Sequence, residues 1–370
     1  MTLNNNKYNI IENDYVHDIL DQPRALRATL GGLSIPAGLP QILRRLEQGE
    51  TRRIVLTGMG SSLYALHPLH ILLMSHGFTT VLLETSELVH YFSKLFDGKS
   101  LIIAVSQSGR SAEIVRLLDE NGRRAPIIGV TNTDDSPLAF QADSVLLTNA
   151  GQEYSVSCKT YVAALMALRY LGSLLSNVES SSIPPMREST VDSPGDLIAT
   201  TTSELAQAAP AVRCYLESWR DHVVELAAAL EGARHLFLVG RGGSLAAVGT
   251  GGLIIKESTH RHAEGMSSAA FRHGPFEMLG EESVVLVFAG DDRARGLNEK
   301  LFADIRHKGG RAELIGKDAG LSSLQIPGAP ESVLPILEIL PVEMITLALA
   351  AQTSHEAGRF TLGTKVTTTE

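Results

Sequence analysis

The sequence has little of what builds disulfide frameworks or metal centres. It contains two cysteines, Cys158 and Cys214, too few for a disulfide scaffold. Its histidines show neither HExxH nor CxxC-linked spacing, so no metal site is written in it. No helix N-terminus or basic neighbour marks either cysteine as a nucleophile. A reducing, cytoplasmic setting fits this pattern. Positive charge is also short: 32 Lys and Arg against 41 Asp and Glu leave a net charge of −9. That balance gives no footprint for nucleic acid and leaves open only a local pocket for a small anion. The opening residues, MTLNNNKYNIIEND, have no basic n-region or apolar h-region, so no signal peptide is expected. No uninterrupted apolar run approaches the length of a bilayer span, and no membrane is expected as a partner.

What is present is the composition of a globular protein, 44% hydrophobic and 20% charged, over 370 residues. That length suits two ordinary domains or one large one. Residues 101–113, LIIAVSQSGRSAE, organise the rest. A continuous apolar run reads as a parallel strand covered on both faces, and the hydroxyl-rich turn after it opens a periodic helix. Ligands bind at the carboxyl ends of such strands, where a helix N-terminus offers unpaired N–H groups to an anion. Ser106, Ser108 and Ser111 add hydroxyls around Gly109, whose bare backbone permits close approach. The alternative is an ordinary loop whose serines cap the helix. Around this stretch, strand and helix alternate from residue 53 to residue 147, which predicts a parallel sheet with right-handed crossovers. Helical patterns precede it at residues 14–30 and 39–46, and an apolar helix follows at 161–175. A Ser/Pro/Glu-rich linker is expected at 177–195 and further helices at 197–232.

The chain then repeats itself. RRIVLTGMGSSL at Arg52 matches RHLFLVGRGGSL at Arg234, and at the same offset LIIAVSQSG at Leu101 lands on SVVLVFAGD at Ser283. An internal duplication is the simplest account. In the second copy Phe288, Ala289 and Gly290 replace Ser106, Gln107 and Ser108, so any phosphate site belongs to the first copy. The second half has its own polar cluster, GGLIIKESTHRHAEG, read as a packed helix carrying Lys256, Glu257, His260 and Glu264, with Glu257 and His260 sharing a face. A carboxylate following Leu253, Ile254 and Ile255 is partly desolvated, which suits a general base; a solvated helix end is the alternative. His273 precedes a Gly-Pro turn, and either a site residue or a plain loop histidine fits it. The last residues, EAGRFTLGTKVTTTE, have no helical period. A disordered tail is the default there, unless order carries Lys365 into a pocket.

DQPRALRATL, GMGSS, SQSGRSAE, TNAGQE, GRG, the KE-x4-HAE stretch, RHGP and a tail bearing Lys365 occur in the order and spacing of one family. Nearly the whole chain resembles the sugar isomerase (SIS) family, in particular the isomerase half of glucosamine-6-phosphate synthase. The resemblance implies an α/β fold of two tandem SIS domains, each a doubly wound parallel sheet flanked by helices. Its segments would be an N-terminal helical stretch at 1–50, a first, phosphosugar-binding domain at 51–180, linker and helices at 181–232, a second domain at 233–350, and a tail at 351–370 closing the site. Carried over by position, Ser62, Ser106, Gln107, Ser108 and Ser111 hold the phosphate. Glu257 moves a proton between C1 and C2, His273 opens the sugar ring from the other subunit of a homodimer, and Lys365 closes over the sugar.

Three departures accompany the likeness. The chain begins Met1-Thr2, without the synthase's glutaminase domain and its cysteine at position 2, so a full glutamine-dependent synthase is not expected. Ile254 stands where the synthase has a second active-site lysine, and the segment SVSCKTY around Val156 to Tyr161 departs from the usual VASTKTY. The activity implied is isomerisation with deamination of a hexosamine or ketosamine 6-phosphate. It needs no cofactor and no metal, because the carbanion delocalises into the neighbouring carbonyl or iminium. A fructosamine-6-phosphate deglycase and a non-catalytic sugar-phosphate sensor are the alternatives; no DNA-binding arm supports the latter.

Overall fold

The structure is a computed structural model describing residues 8–178 and 194–367. The expected linker at 177–195 lies almost wholly outside the described residues. The chain forms two compact units. One comprises Arg24–Gly151, Thr160–Ala206 and the tail from Val366; the other comprises the chain up to Pro23, Gln152–Lys159 and Gln207–Lys365.

In the first unit five parallel strands, β1 (Arg53–Gly58), β2 (Thr80–Glu84), β3 (Ser100–Val105), β4 (Ile127–Thr131) and β5 (Ser144–Leu147), lie in the order β2-β1-β3-β4-β5. β3 is buried at every residue, as its unbroken apolar run requires when helices cover both faces. The chain steps outward from β1 to β2 and then crosses to β3 on the far side of β1. The switch point of the sheet therefore falls between the carboxyl ends of β1 and β3, where Gly58 and Val105 are register partners. Val55, Ile102 and Ala104 of the sheet pack with Ile114, Leu117 and Leu118 of the helix Ala112–Asn121. That helix shows its apolar residues at the expected helical spacing.

The second unit repeats the plan with β6 (His235–Gly240), β7 (Ala263–Ser267), β8 (Ser283–Phe288) and β9 (Arg311–Ile315), all parallel, in the order β7-β6-β8-β9. This is the order of β2-β1-β3-β4, so the duplication visible in the sequence is also one of topology. Together the two sheets bear out the tandem α/β architecture.

One segment differs from expectation. The helix bearing Glu257 runs Leu245–Thr259 and stops, and His260 caps its C-terminus in the left-handed conformation at φ 54. His260 therefore does not share a helical face with Glu257, and its ring packs against His355 instead. Glu264, read as helical, lies on β7. β7 is an edge strand, mostly half-buried, so it lacks the apolar run that marks the central strands. The preceding helix approaches it closely: a Cβ on Gly252 would lie 2.7 Å from the Gly265 nitrogen, and one on Gly265 would lie 2.2 Å from the Val248 oxygen. Only glycine at both positions permits that spacing.

A helix at Ile339–Gln352 runs through the second unit and is buried almost throughout. The stretch Glu331–Gln352 is long and apolar enough to cross a membrane by length and composition, although no such run was expected from the sequence. Most of it is buried within the protein and it carries the buried Glu338 and Glu343, so it belongs to the core. Burial pushes both carboxyls up to about 8, against the hydrogen bonds that Ser244 Oγ donates to Glu338 and Gln22 Nε2 donates to Glu343, each 2.7 Å. The native state thus keeps protons that an unfolded carboxyl releases near its ordinary value of 4.5. Stability should fall as pH rises from about 4.5 to about 8 and level off above, by about 1.4 kcal/mol per pH unit for each group. In urea unfolding between pH 5 and pH 8.5, Glu338→Gln should lose a measurable part of this slope; a slope equal to that of the parent would contradict it.

Candidate active site

At the switch point of the first sheet, two turns leave the strand ends. After β1 the chain enters the short helix Ser61–Tyr64, with half-buried Ser62 in its first turn. After β3 comes the loop of Ser106, Gln107, Ser108 and Ser111. Its backbone is fixed from within: Gly109 N–H donates to Ser106 Oγ at 3.1 Å and Arg110 N–H to Ser108 Oγ at 3.2 Å. As acceptors, both hydroxyls keep their own protons to give. The Gln107 carbonyl takes the Asn132 N–H at 3.0 Å and the Thr131 hydroxyl at 3.2 Å, which pins the backbone beneath the side chain.

Ser111 bears on the capping reading of this loop. It occupies the N-cap of Ala112–Asn121, yet its side chain makes no capping bond. The hydroxyl is therefore not spent on the helix, and the simple capping account fails at this residue. Of the first-turn donors, Ala112 N–H is taken by the Thr367 carbonyl at 3.2 Å. The loop's guanidinium, Arg110, pairs with Asp135 at 2.6 Å in an exposed bridge. What the loop offers an anion is thus hydroxyls, amide N–H groups and the helix end.

The corresponding turn of the second unit is built differently. Phe288 and Ala289 are buried, and Asp291 Oδ1 accepts the Ala294 N–H at 2.9 Å beside the start of the helix Arg295–His307. The Asp291 carboxylate at this turn would repel an anion.

The second unit instead assembles acid-base groups. Glu257 sits half-buried in the last turn of Leu245–Thr259, beside buried Ile254, Ile255 and Ser258 and exposed Lys256. Ile254 is fully buried in the core. Burial raises the Glu257 carboxyl above its ordinary range, and the charges of Lys365 and Lys256 only partly offset it. The tail carrying Lys365 is ordered by contacts: the Ala357 carbonyl accepts from Asn13 Nδ2 at 2.8 Å, and the Gly358 carbonyl accepts from Ser155 Oγ. Lys365 Nζ donates to Glu153 Oε2 at 2.8 Å and to the Ser155 carbonyl.

His273 is exposed at the end of the helix Ser268–Arg272. Among the described residues, no hydrogen bond joins its ring to Glu257 or Lys365. Glu153 and Ser155 were not singled out in the sequence. Glu153 lies in a loop of small residues, 212 positions from the lysine it holds, and no local spacing reveals such a pair.

Gly109 tests the loop. Its φ is +61, and a Cβ there would lie 2.3 Å from Ser136 Oγ and 3.0 Å from Thr131 Oγ1. Gly109→Ala must displace the turn that carries Ser106 and Ser108. Calorimetric titration with a hexose 6-phosphate should show affinity reduced by at least about tenfold, the equivalent of one or two charge-assisted hydrogen bonds. Unchanged affinity would exclude this loop as the phosphate anchor.

Comparison with known proteins bears on the family and the fold. The chain is 27% identical over 363 residues to glutamine–fructose-6-phosphate aminotransferase (isomerizing) of Pyrococcus horikoshii, covering 94% of this chain and 56% of that one. It spans about half the length of the curated relatives it matches. The C-terminal domain of glucosamine-fructose-6-phosphate aminotransferase from Francisella tularensis superposes with a TM-score of 0.79 at 18% identity, covering 93% of this chain and 97% of that one. Glucosamine-6-phosphate deaminase from Thermotoga maritima gives 0.69 at 15% identity, covering 96% and 100%. At those identities the two structures attest the fold. The SIS domain pattern matches residues 50–174 and 229–350, one match on each parallel sheet, and the chain belongs to the SIS domain family.

Proposed function

We propose that the protein is a phosphosugar isomerase that deaminates an amino sugar 6-phosphate, such as glucosamine 6-phosphate. The observation that carries this reading is the state of Glu257: a partly desolvated carboxyl of raised pKa, close enough to feel the Lys365 charge and not ion-paired to it. Such a group takes up and returns a proton more readily than an exposed carboxylate. The sugar's phosphate would be anchored by Ser62, Ser106, Gln107, Ser108 and Ser111. Glu257 would remove the C2 proton of the open-chain aldehyde, giving an enolamine, and return it at C1. After transfer, the imine at C2 takes up water and releases ammonia, leaving the ketose phosphate. Lys365 would stabilise the negative charge that builds on the sugar oxygen during transfer. His273 would open the ring, and its exposed position in a single chain suits a role across a homodimer interface.

Two measurements bear on this. Ammonia release should be followed over a panel of amino sugar 6-phosphates, with release of lysine from a phosphorylated fructosamine as the competing outcome. On the substrate that turns over, Glu257→Gln should lower kcat by about 10²- to 10⁴-fold, the usual worth of one general base; undiminished turnover would sink the mechanism. If His273 acts across the interface, mixing inactive Glu257→Gln and His273→Ala proteins and letting subunits exchange should restore roughly a quarter of the parental rate. No recovery despite demonstrated exchange would place both groups in one subunit's site.

A further inference from the structure

We infer that Glu153 is a positioning residue: it holds the Lys365 ammonium in place and keeps it from forming a direct ion pair with Glu257. This deepens the reading above and rests on it. Glu153 lies in the loop that precedes the helix Lys159–Ser176, and its side chain is 0% exposed, against 22% for Lys365. A carboxylate in such a place needs a cation. The nearest in sequence, Lys159, is already committed to Asp18 at 2.8 Å and Asp21 at 3.0 Å. The lysine of the tail takes that role, 2.8 Å away.

The Glu153 carboxylate is itself well fixed. Its Oε1 accepts the Cys158 N–H at 3.0 Å and lies 3.6 Å from the Cys158 sulfur. The Glu153 charge also helps to keep the buried Glu343 carboxyl protonated. An ammonium has three protons. In Lys365 one goes to Glu153 and one to the Ser155 carbonyl, which leaves one to direct at a substrate oxygen. Glu257 meanwhile feels Lys365 and Lys256 as charges but has no ion pair with either among the described residues. Were Lys365 to swing onto Glu257, the base would be held ionised and weak, and the lysine would be lost to the substrate.

The test uses Glu153→Gln and Lys365→Met in the full chain. Glu153→Gln releases the ammonium toward Glu257, so the acid limb of kcat/KM should move down by about one pH unit or more. Lys365→Met removes the cation and should move the same limb up. A residue that merely supports the fold would lower kcat in both variants and leave the limb where it was, which would overturn the inference. Reductive methylation of Lys365, followed by peptide mass spectrometry, needs no substrate and separates failure of the anchor from failure of the proposed reaction. Glu153→Gln should raise its rate several-fold relative to the other lysines, and an unchanged rate would also overturn the inference. Should Glu153→Gln not fold, Glu153→Asp, which withdraws the charge by one methylene, carries the same expectations at reduced size.

Discussion

Parallel pairing is the constraint on which the rest depends. Every strand of both sheets runs the same way as its neighbours, so each connection must carry the chain back over a face of its sheet before the next strand begins. All the loops that follow strands then emerge along one edge. In the first unit the reversal of strand order brings two of these loops side by side, and Ser62 and Ser106 owe their neighbourhood to it. The hydroxyls are a local feature of the sequence; their convergence is a property of the topology.

The duplicated turn shows how little separates an anion cradle from ordinary structure. Both copies place a turn at the end of a buried strand and a helix after it. In one, Ser111 stands at the helix start with its hydroxyl unspent. In the other, the helix start is Ala294, which has no hydroxyl, and its N–H is satisfied by the Asp291 carboxylate. The first arrangement leaves donors unmet for a ligand, and the second meets them internally. On the proposed reading, the first unit would bind the phosphate, while the second carries the ionisable groups Glu257 and Lys365.

Much of this was legible in the sequence because it is written in unbroken local patterns. The central strands, the helix Ala112–Asn121 and the repeat all declare themselves through runs of Leu, Ile and Val at a fixed period. β7 did not, because an edge strand needs one buried face at most, and Ala263–Ser267 offers too few apolar residues to be told from the end of a helix. His260 was misplaced for the same reason: its left-handed conformation is set by where the helix stops, not by its own residue type. For Ser111 the sequence allowed two fates for one hydroxyl, and only geometry separates them. The pairing of Glu153 with Lys365 lies furthest from view, since burial creates the need for a counter-ion and burial is a tertiary property.

The close contact of Gly252 with Gly265 reaches beyond packing. Glu257 lies little more than one helical turn beyond Gly252, on the same rigid segment, so the height of the carboxylate above the sheet is set by two side chains that are not there. A methyl group at either glycine would act as a shim, tilting the helix about the contact and carrying the base with it. Displacement by about 1 Å is enough to cost a reaction of this kind about two orders of magnitude. The placement of the Glu257 carboxylate is in that sense a tolerance, machined by hydrogen atoms little more than one helical turn away.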